Sequence, residues 1–295
     1  KHRRIVVIGA GPAGLEAARV AGERGHEVTV FEAMPKAGGQ IALTVRNKRR
    51  QDFQGVVDWR LAELDRLGVE IIYDHIAEQE DISALNPDVV IVATGGLPQM
   101  PPLEKGAELA VTSWDVLSGE VIPHGNVLLY DDNGTHSALS TAEIIAQSGA
   151  DLEIVTPERT LGVEIGGVNH VPYARTFNET ETRVTLNQRV RSASKENDRL
   201  VVELGSDHSS HRSTREVDYL VVDHGTLPNS DLYLELKSLS CNQGEIDHNA
   251  LLNGQPQPCF DEDQDSFALY RIGDAVANRN IHAAIYDALR LMKDI

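Results

Sequence analysis

The chain's 295 residues are enough for two domains with cores of their own, and its 41% hydrophobic content is that of an ordinary globular protein. A net charge of −18 argues against nucleic-acid or anionic-membrane partners. No apolar run approaches a membrane span, and the opening KHRR leads straight into a strand with no apolar signal segment, so a cytoplasmic location is expected. The chain has no initiator Met and enters its fold at once, which makes it an expected piece of something longer.

In chain order, the β-branched run Ile5, Val6, Val7 and Ile8 predicts a first strand that opens directly into Gly9-x-Gly11-x-x-Gly14. Gly9 permits the tight turn, Gly11 lets a pyrophosphate approach the backbone, and Gly14 lets the helix over 12–24 pack close to the strand. Ala10, Pro12 and Ala13 complete the turn and the first helical positions, where exposed N–H groups and a partial positive charge suit phosphate. A second strand, Val28 to Phe31, ends at Glu32, placed with the neighbouring Ala33 to meet an adenosine ribose. Strand, glycine turn, helix, strand and acid in register make dinucleotide or ADP binding the functional reading. The bland alternative is a glycine turn used for packing alone.

Beyond the acid, EAMPKAGGQ places Gly38 and Gly39 where only small residues let a diphosphate and ribityl chain pass, with Gln40 next to them as a further expected cofactor contact. DVVIVATGG predicts a buried strand whose end, Ala93-Thr94-Gly95, lies near the same phosphates, or else a crossover turn with no ligand.

The pattern then repeats. Strand Val127 to Tyr130, a helix over 137–148, strand Leu152 to Val155 and the segment Asp218 to Asn229 rebuild the same series. The predicted class is α/β, with two Rossmann-like three-layer domains of which the second is inserted in the first. Residues 1–107 with 226–295 form the FAD/ADP-binding domain, and residues 108–225 the inserted NAD(P)-binding-like domain. Residues 191–216 suggest a hairpin with polar turns, and residues 254–266 an exposed acidic loop. A last strand, Phe267 to Ile272, leads to Gly273-Asp274 and a helix from about Ile281. Asp274 can accept from a ribityl hydroxyl, with the helix start at Ile281 facing the pyrimidine end of a flavin; otherwise Asp274 caps a turn.

The copy is degenerate. Asp131, Asn133 and His136 stand where Gly9, Gly11 and Gly14 stand in the first, and Thr156 replaces Glu32. Side chains and negative charge occupy the space of a pyrophosphate, so no ordinary NAD(P)H site is expected there. Cys241 and Cys259, with no CxxC, are expected as thiols without a redox role. No catalytic dyad, triad or metal cluster stands out. His208 and His211 are expected to be solvated, and His282 is given no chemistry.

Together, GAGPAGLEAARVAGERGHEVTVFEA, AGGQ, VIVATGG and GDAVANRNIHAAIYDAL resemble the C-terminal nucleotide-binding region of the old-yellow-enzyme-like iron–sulfur flavoproteins. That group includes trimethylamine dehydrogenase, histamine dehydrogenase and 2,4-dienoyl-CoA reductase. GVEIGGVNH (162–170), VVDHGTLPNSDLYLELK (221–237) and the C-terminal segment most resemble its bacterial N-methyl amine demethylase branch, which acts on dimethylglycine or N-methylproline-type substrates. The resemblance implies an N-terminal TIM barrel outside this chain, carrying FMN and a 4Fe-4S cluster, where the amine is oxidised. It implies that the present region holds FAD or ADP, with an electron-transferring flavoprotein as a further partner.

In the dienoyl-CoA reductase branch the intact slot holds FAD and the second admits NADPH, whereas in the amine dehydrogenases the intact slot holds ADP. The broken glycine pattern at 131–136 favours a branch not fed by nicotinamide, while Gly38-Gly39-Gln40 and Gly273-Asp274 leave room for FAD. Two other readings stay open. One is an NAD(P)H-dependent flavin oxidoreductase of 2,4-dienoyl-CoA reductase type, the other a non-catalytic ADP-binding structural domain.

Overall fold

The structure is a computed structural model that describes residues 2–259 and 266–295; part of the expected acidic loop, residues 260–265, lies outside the described residues. The chain divides into two compact units. Unit 1 comprises Lys1–Ala42, Asp52–Leu97 and Thr226–Ile295, and unit 2 comprises Leu43–Gln51 and Pro98–Gly225.

The chain opens with β1 (Arg4–Ile8), α1 (Pro12–Glu23), β2 (Glu27–Phe31) and a single turn, α2 (Ile41–Thr44). It continues through α3 (Gln54–Leu67), β3 (Glu70–Ile72), α4 (Gln79–Leu85), β4 (Val89–Val92) and β5 (Gly96–Pro98). Next come β6 (Val111–Thr112), α5 (Ser113–Ser118), β7 (Asn126–Asp131), α6 (His136–Gln147), β8 (Asp151–Val155), α7 (Gly167–Glu179) and β9 (Arg183–Thr185). The strands β10 (Arg189–Glu196), β11 (Arg199–Gly205), β12 (Arg212–Val217) and β13 (Tyr219–Asp223) follow. The chain ends with β14 (Thr226–Pro228), α8 (Asp231–Lys237), α9 (His248–Leu252), β15 (Ala268–Arg271) and α10 (Ile281–Asp294).

Unit 1 is built on a parallel sheet in the order β15-β4-β1-β2-β3, with Val7 opposite both Val30 and Ile91. The unbroken apolar runs of β1 and β4 mark strands covered on both faces. Val6 and Ile8 pack with Ile82 of α4 and with Tyr233 and Leu236 of α8. Ile5 and Val7 are equally buried and point the other way, on the side that α1 crosses. Chain order reverses between β1 and β4, so the carboxyl ends of these strands form the switch point where open parallel sheets bind ligands.

Unit 2 repeats the sheet order as β6-β13-β7-β8-β9, again all parallel. Val127 and Leu129 of its central strand pack on Ala142 and Ile145 of α6 and on Tyr173 of α7. Leu128 and Tyr130 face Val190, Val202 and Val217. These last residues come from an antiparallel sheet, β10-β11-β12, so the expected hairpin is a three-stranded meander. Asn197 and Asp198, at φ 48° and 67°, make the first reversal, and the polar stretch 206–211 makes the second.

The cysteines differ from expectation: Cys241 and Cys259 form a disulfide. Their separation of 18 residues misleads, because α9 and its flanking turns fold back and bring the two Cα atoms to 5.0 Å. No helix among the described residues is long and apolar enough to cross a membrane.

One buried ion pair joins α1 to α3. The Glu16 carboxylate, nearly sealed from solvent, receives Arg60 Nε at 2.7 Å and Arg19 at 2.6 Å. A buried charge that loses a partner costs more than the pair contributes. Arg60→Ala should therefore lower the unfolding free energy by about 2–4 kcal/mol, and adding Glu16→Leu should recover most of it. Denaturant titration checks this, and an Arg60→Ala chain as stable as the wild type would contradict it.

Candidate functional site

At the carboxyl ends of β1 and β4 two backbones meet closely. Gly9 has φ 102°, and a Cβ placed on it would lie 2.4 Å from the Ala93 carbonyl oxygen. A Cβ on Gly14 would lie 1.9 Å from the Gly9 carbonyl oxygen. Both positions exclude any side chain because the protein meets itself there. Gly11 is different. Its φ is −76°, and a Cβ on it would come no closer than 3.9 Å, to Gly39 Cα. The fold alone does not call for glycine at Gly11. A ligand group lying against the Gly11 backbone would.

Gly11 is also the N-cap of α1, and among the described residues no side chain caps that helix end, whose first turn carries no acid. The N–H groups of Ala13 and Gly14, after Pro12, thus present the positive end of the helix with no acid in its own first turn.

Glu32 has a role that the sequence did not reveal. Its Oε2 accepts from Ala10 N at 2.7 Å and its Oε1 from Met34 N at 2.8 Å, so the buried carboxylate ties the end of β2 to the glycine turn. Each oxygen retains acceptor capacity for a ribose hydroxyl. Ala33 lies exposed just beyond it.

The remaining candidates gather around the same turn. Gly38 N donates to Ala10 O at 2.9 Å, and a Cβ on Gly39 would stand 3.2 Å from Gly11 Cα. Gly273 packs on Ala13, with only 2.9 Å between its virtual Cβ and Ala13 Cβ. Asp274 accepts from Gln40 Nε2 at 2.9 Å and from Arg279 N at 3.1 Å, and burial raises its carboxyl above its ordinary value. Ile281 opens α10 behind Asn280, whose side chain accepts from Ala283 N at 2.9 Å. Thr94 and Gly95 are engaged differently from the rest. The Thr94 hydroxyl donates to Asn229 O at 2.6 Å, and Gly95 O accepts from Asn229 N at 3.0 Å, so both serve the return of the chain after β14, which pairs with β5.

In unit 2 the turn after β7 is filled by its own side chains. Asp131, sealed from solvent, accepts from Asn133 N at 3.1 Å and from Gly134 N at 2.7 Å, satisfying the backbone donors a phosphate would use. Asn133 Nδ2 bonds the Asp223 carboxylate at 3.0 Å. His136, at the start of α6, meets Arg50 at 2.5 Å and Tyr173 Oη at 3.2 Å through Nδ1. Burial, reinforced by Arg50 and Arg49, pushes this imidazole down to about 4. Thr156 keeps the local part of the acid's work, accepting from Glu158 N at 3.2 Å as Glu32 does from Met34.

The family model of the pyridine nucleotide-disulphide oxidoreductases matches residues 3–285. The chain belongs to that family. It is 49% identical over 294 residues to a probable N-methylproline demethylase of Rhizobium meliloti (strain 1021), the match covering 100% of this chain and 43% of that protein. It is 42% identical over 303 residues to an N,N-dimethylglycine/sarcosine dehydrogenase of Chromohalobacter salexigens, covering 99% of this chain and 44% of that one. Among solved structures, histamine dehydrogenase from Rhizobium sp. 4-9 superposes with a TM-score of 0.80 at 22% identity, over 100% of this chain and 44% of that chain. A 2-naphthoyl-CoA reductase complex does so with 0.81 at 24%, over 100% and 40%. At these identities the structural likeness shows the fold. The chain spans less than half the length of the relatives it matches.

The closed turn of unit 2 has a pH signature. Burial first, and then the Asp223 carboxylate, push Asp131 up to about 7 against the pull of the Gly134 and Asn133 N–H groups. The native state thus holds this proton more tightly than the unfolded chain. Its stabilising effect is complete below about pH 4 and is lost as pH rises through about 7. Asp131→Asn keeps an acceptor for both N–H groups and carries no charge. It should gain on the wild type by about 2–3 kcal/mol between pH 5 and pH 8 in urea unfolding. A difference independent of pH would show that Asp131 is ionised throughout.

Proposed function

We propose that this chain is the nucleotide-holding part of a multi-cofactor flavoprotein oxidoreductase of the N-methyl amine dehydrogenase/demethylase kind. Unit 1, which is the expected span of 1–107 with 226–295 less residues 43–51 and 98–107, is read as the domain that keeps FAD, or alternatively ADP, as a resident group. Residues 108–225 are read as an inserted dinucleotide-binding-like domain that holds no nicotinamide. The observation that carries the reading is Gly11, a glycine with ordinary φ at the start of α1, where a Cβ would meet no atom closer than 3.9 Å.

In this reading Gly9, Ala10, Gly11 and Gly39 line the path of the diphosphate. The Ala13 and Gly14 N–H groups donate to it, Glu32 accepts from the ribose, and Asp274 accepts from the ribityl chain of a flavin. Bound FAD would supply electron storage and transfer, and bound ADP would not. These residues bind and orient. None of them moves a proton to or from a substrate.

Two relatives over 40% identical are named for N-methylproline and for dimethylglycine or sarcosine, and this chain corresponds to under half of each. Substrate oxidation is therefore assigned to a region outside these 295 residues, a TIM barrel with FMN and a 4Fe-4S cluster, with an electron-transferring flavoprotein as acceptor. The rival reading, a 2,4-dienoyl-CoA reductase type enzyme, needs a nicotinamide in the second domain, where Asp131, Asn133 and His136 stand in place of glycines.

Gly11→Ala should leave the unfolding temperature of the ligand-free chain within about 3 °C, the effect of a modest N-cap change. It should weaken FAD and ADP binding at least about tenfold, or about 1.4 kcal/mol. Gly14→Ala should instead fail to fold. Heat-released ligand from the purified chain should be FAD or ADP, and NADH should not bleach a bound flavin. Unchanged binding by Gly11→Ala would remove the site assignment, and bleaching by NADH would favour the rival.

A further inference from the structure

Gln40 and Asp274 are 234 residues apart in sequence and share a hydrogen bond, with Gln40 Nε2 donating to Asp274 Oδ2 at 2.9 Å. The other Asp274 oxygen accepts from Arg279 N at 3.1 Å, so two donors fix the plane of the carboxyl group. The remaining surroundings pull its charge state both ways. Burial favours the neutral acid and Asp287 adds a like charge, while the Arg279 guanidinium favours the carboxylate and is itself paired to Asp287.

The distinction matters for recognition. A neutral carboxyl group is one donor and one acceptor in either orientation, whereas a carboxylate held by N–H groups presents acceptors only. The backbone beside Gln40 is fixed too. Gly38 N is bound to Ala10 O, and Gly39 stands against Gly11, so the turn 38–40 is anchored at the glycine loop by its main chain and at Asp274 by its last side chain.

We propose that Gln40 is a positioning residue rather than a ligand contact. It holds Asp274 as an oriented acceptor for a hydroxyl of the polyol chain of a bound flavin dinucleotide, and so makes the site favour FAD over ADP. The inference rests on the nucleotide-binding reading of unit 1 given above. ADP ends at its diphosphate and has no polyol to meet Asp274, so the two ligands separate the role of Gln40 from that of the glycine turn.

The test uses the full chain freed of nucleotide and titrated with FAD and with ADP between pH 5 and pH 9. The variants are Gln40→Leu, Asp274→Asn and the pair combined. Gln40→Leu should weaken FAD about tenfold at pH 7 and leave ADP unchanged. Its FAD affinity should begin to fall at a higher pH than in the wild type, because the carboxylate has lost a donor. In the Asp274→Asn background Gln40→Leu should add no further loss. Gln40→Glu, close in shape, reads the same contact if Gln40→Leu does not fold, and should bind FAD worse at pH 8 than at pH 5. Equal effects on FAD and ADP, an unshifted pH profile, or additive losses in the double variant would overturn the proposal. Wild-type chain that binds ADP but no FAD would overturn it while leaving the nucleotide site standing. Wild-type chain that binds neither would overturn both.

Discussion

The Gly9 turn brings backbone against backbone at the carboxyl end of β1, leaving no room for a Cβ on Gly9 or Gly14. That approach lets α1 start directly over the switch point of the sheet, with no side chain among the described residues capping its first N–H groups. Glu32 locks the arrangement from the neighbouring strand by accepting from Ala10 N, and Gly38 locks it from the next turn by donating to Ala10 O. Ala10 is thus bound on both its polar atoms, and protein hydrogen bonds alone hold the loop in shape. Such preorganisation cuts the entropy that binding would otherwise cost.

Unit 2 shows what the same sheet does when that constraint is released. The strand order is the same, but β7 runs one residue further than β1, through Asp131, whose side chain turns onto the N–H groups of Asn133 and Gly134. Asp223 then binds Asn133 from β13, and Ser113 donates to Asp223 at 2.7 Å. Side-chain hydrogen bonds do here what a phosphate does at a glycine turn. Their cost is a buried carboxyl: desolvation first, and then the neighbouring Asp223, raise Asp131 toward neutrality.

Much of this was legible in the sequence wherever the signal was local. Ile5 to Ile8, the three glycines, the helix after them and the acid at Glu32 are a contiguous pattern whose period and residue types dictate the geometry. The substitution of Asp131, Asn133 and His136 for glycines was equally readable, because the strand before them repeats β1. What escaped were contacts between distant positions, which leave no periodic trace. Gln40 gave no sign of reaching Asp274, nor Thr94 of binding Asn229. The segment Leu43–Gln51 reads as part of the first domain, yet Asn47 and Arg49 bind the buried Glu143 of unit 2 at 2.6 and 2.7 Å. Cys241 and Cys259 lack a CxxC spacing, and nothing in the sequence marks that the chain doubles back to join them.

The central claim is an asymmetry: one of two similar sheets holds an adenine nucleotide and the other closes its slot with its own side chains. Photolabelling the nucleotide-stripped chain with 8-azido-ADP, followed by peptide mapping, tests this most directly. The account predicts label confined to peptides from unit 1, abolished by excess FAD or ADP and absent from residues 127–156. Competable label within 127–156, or none within unit 1, would contradict it.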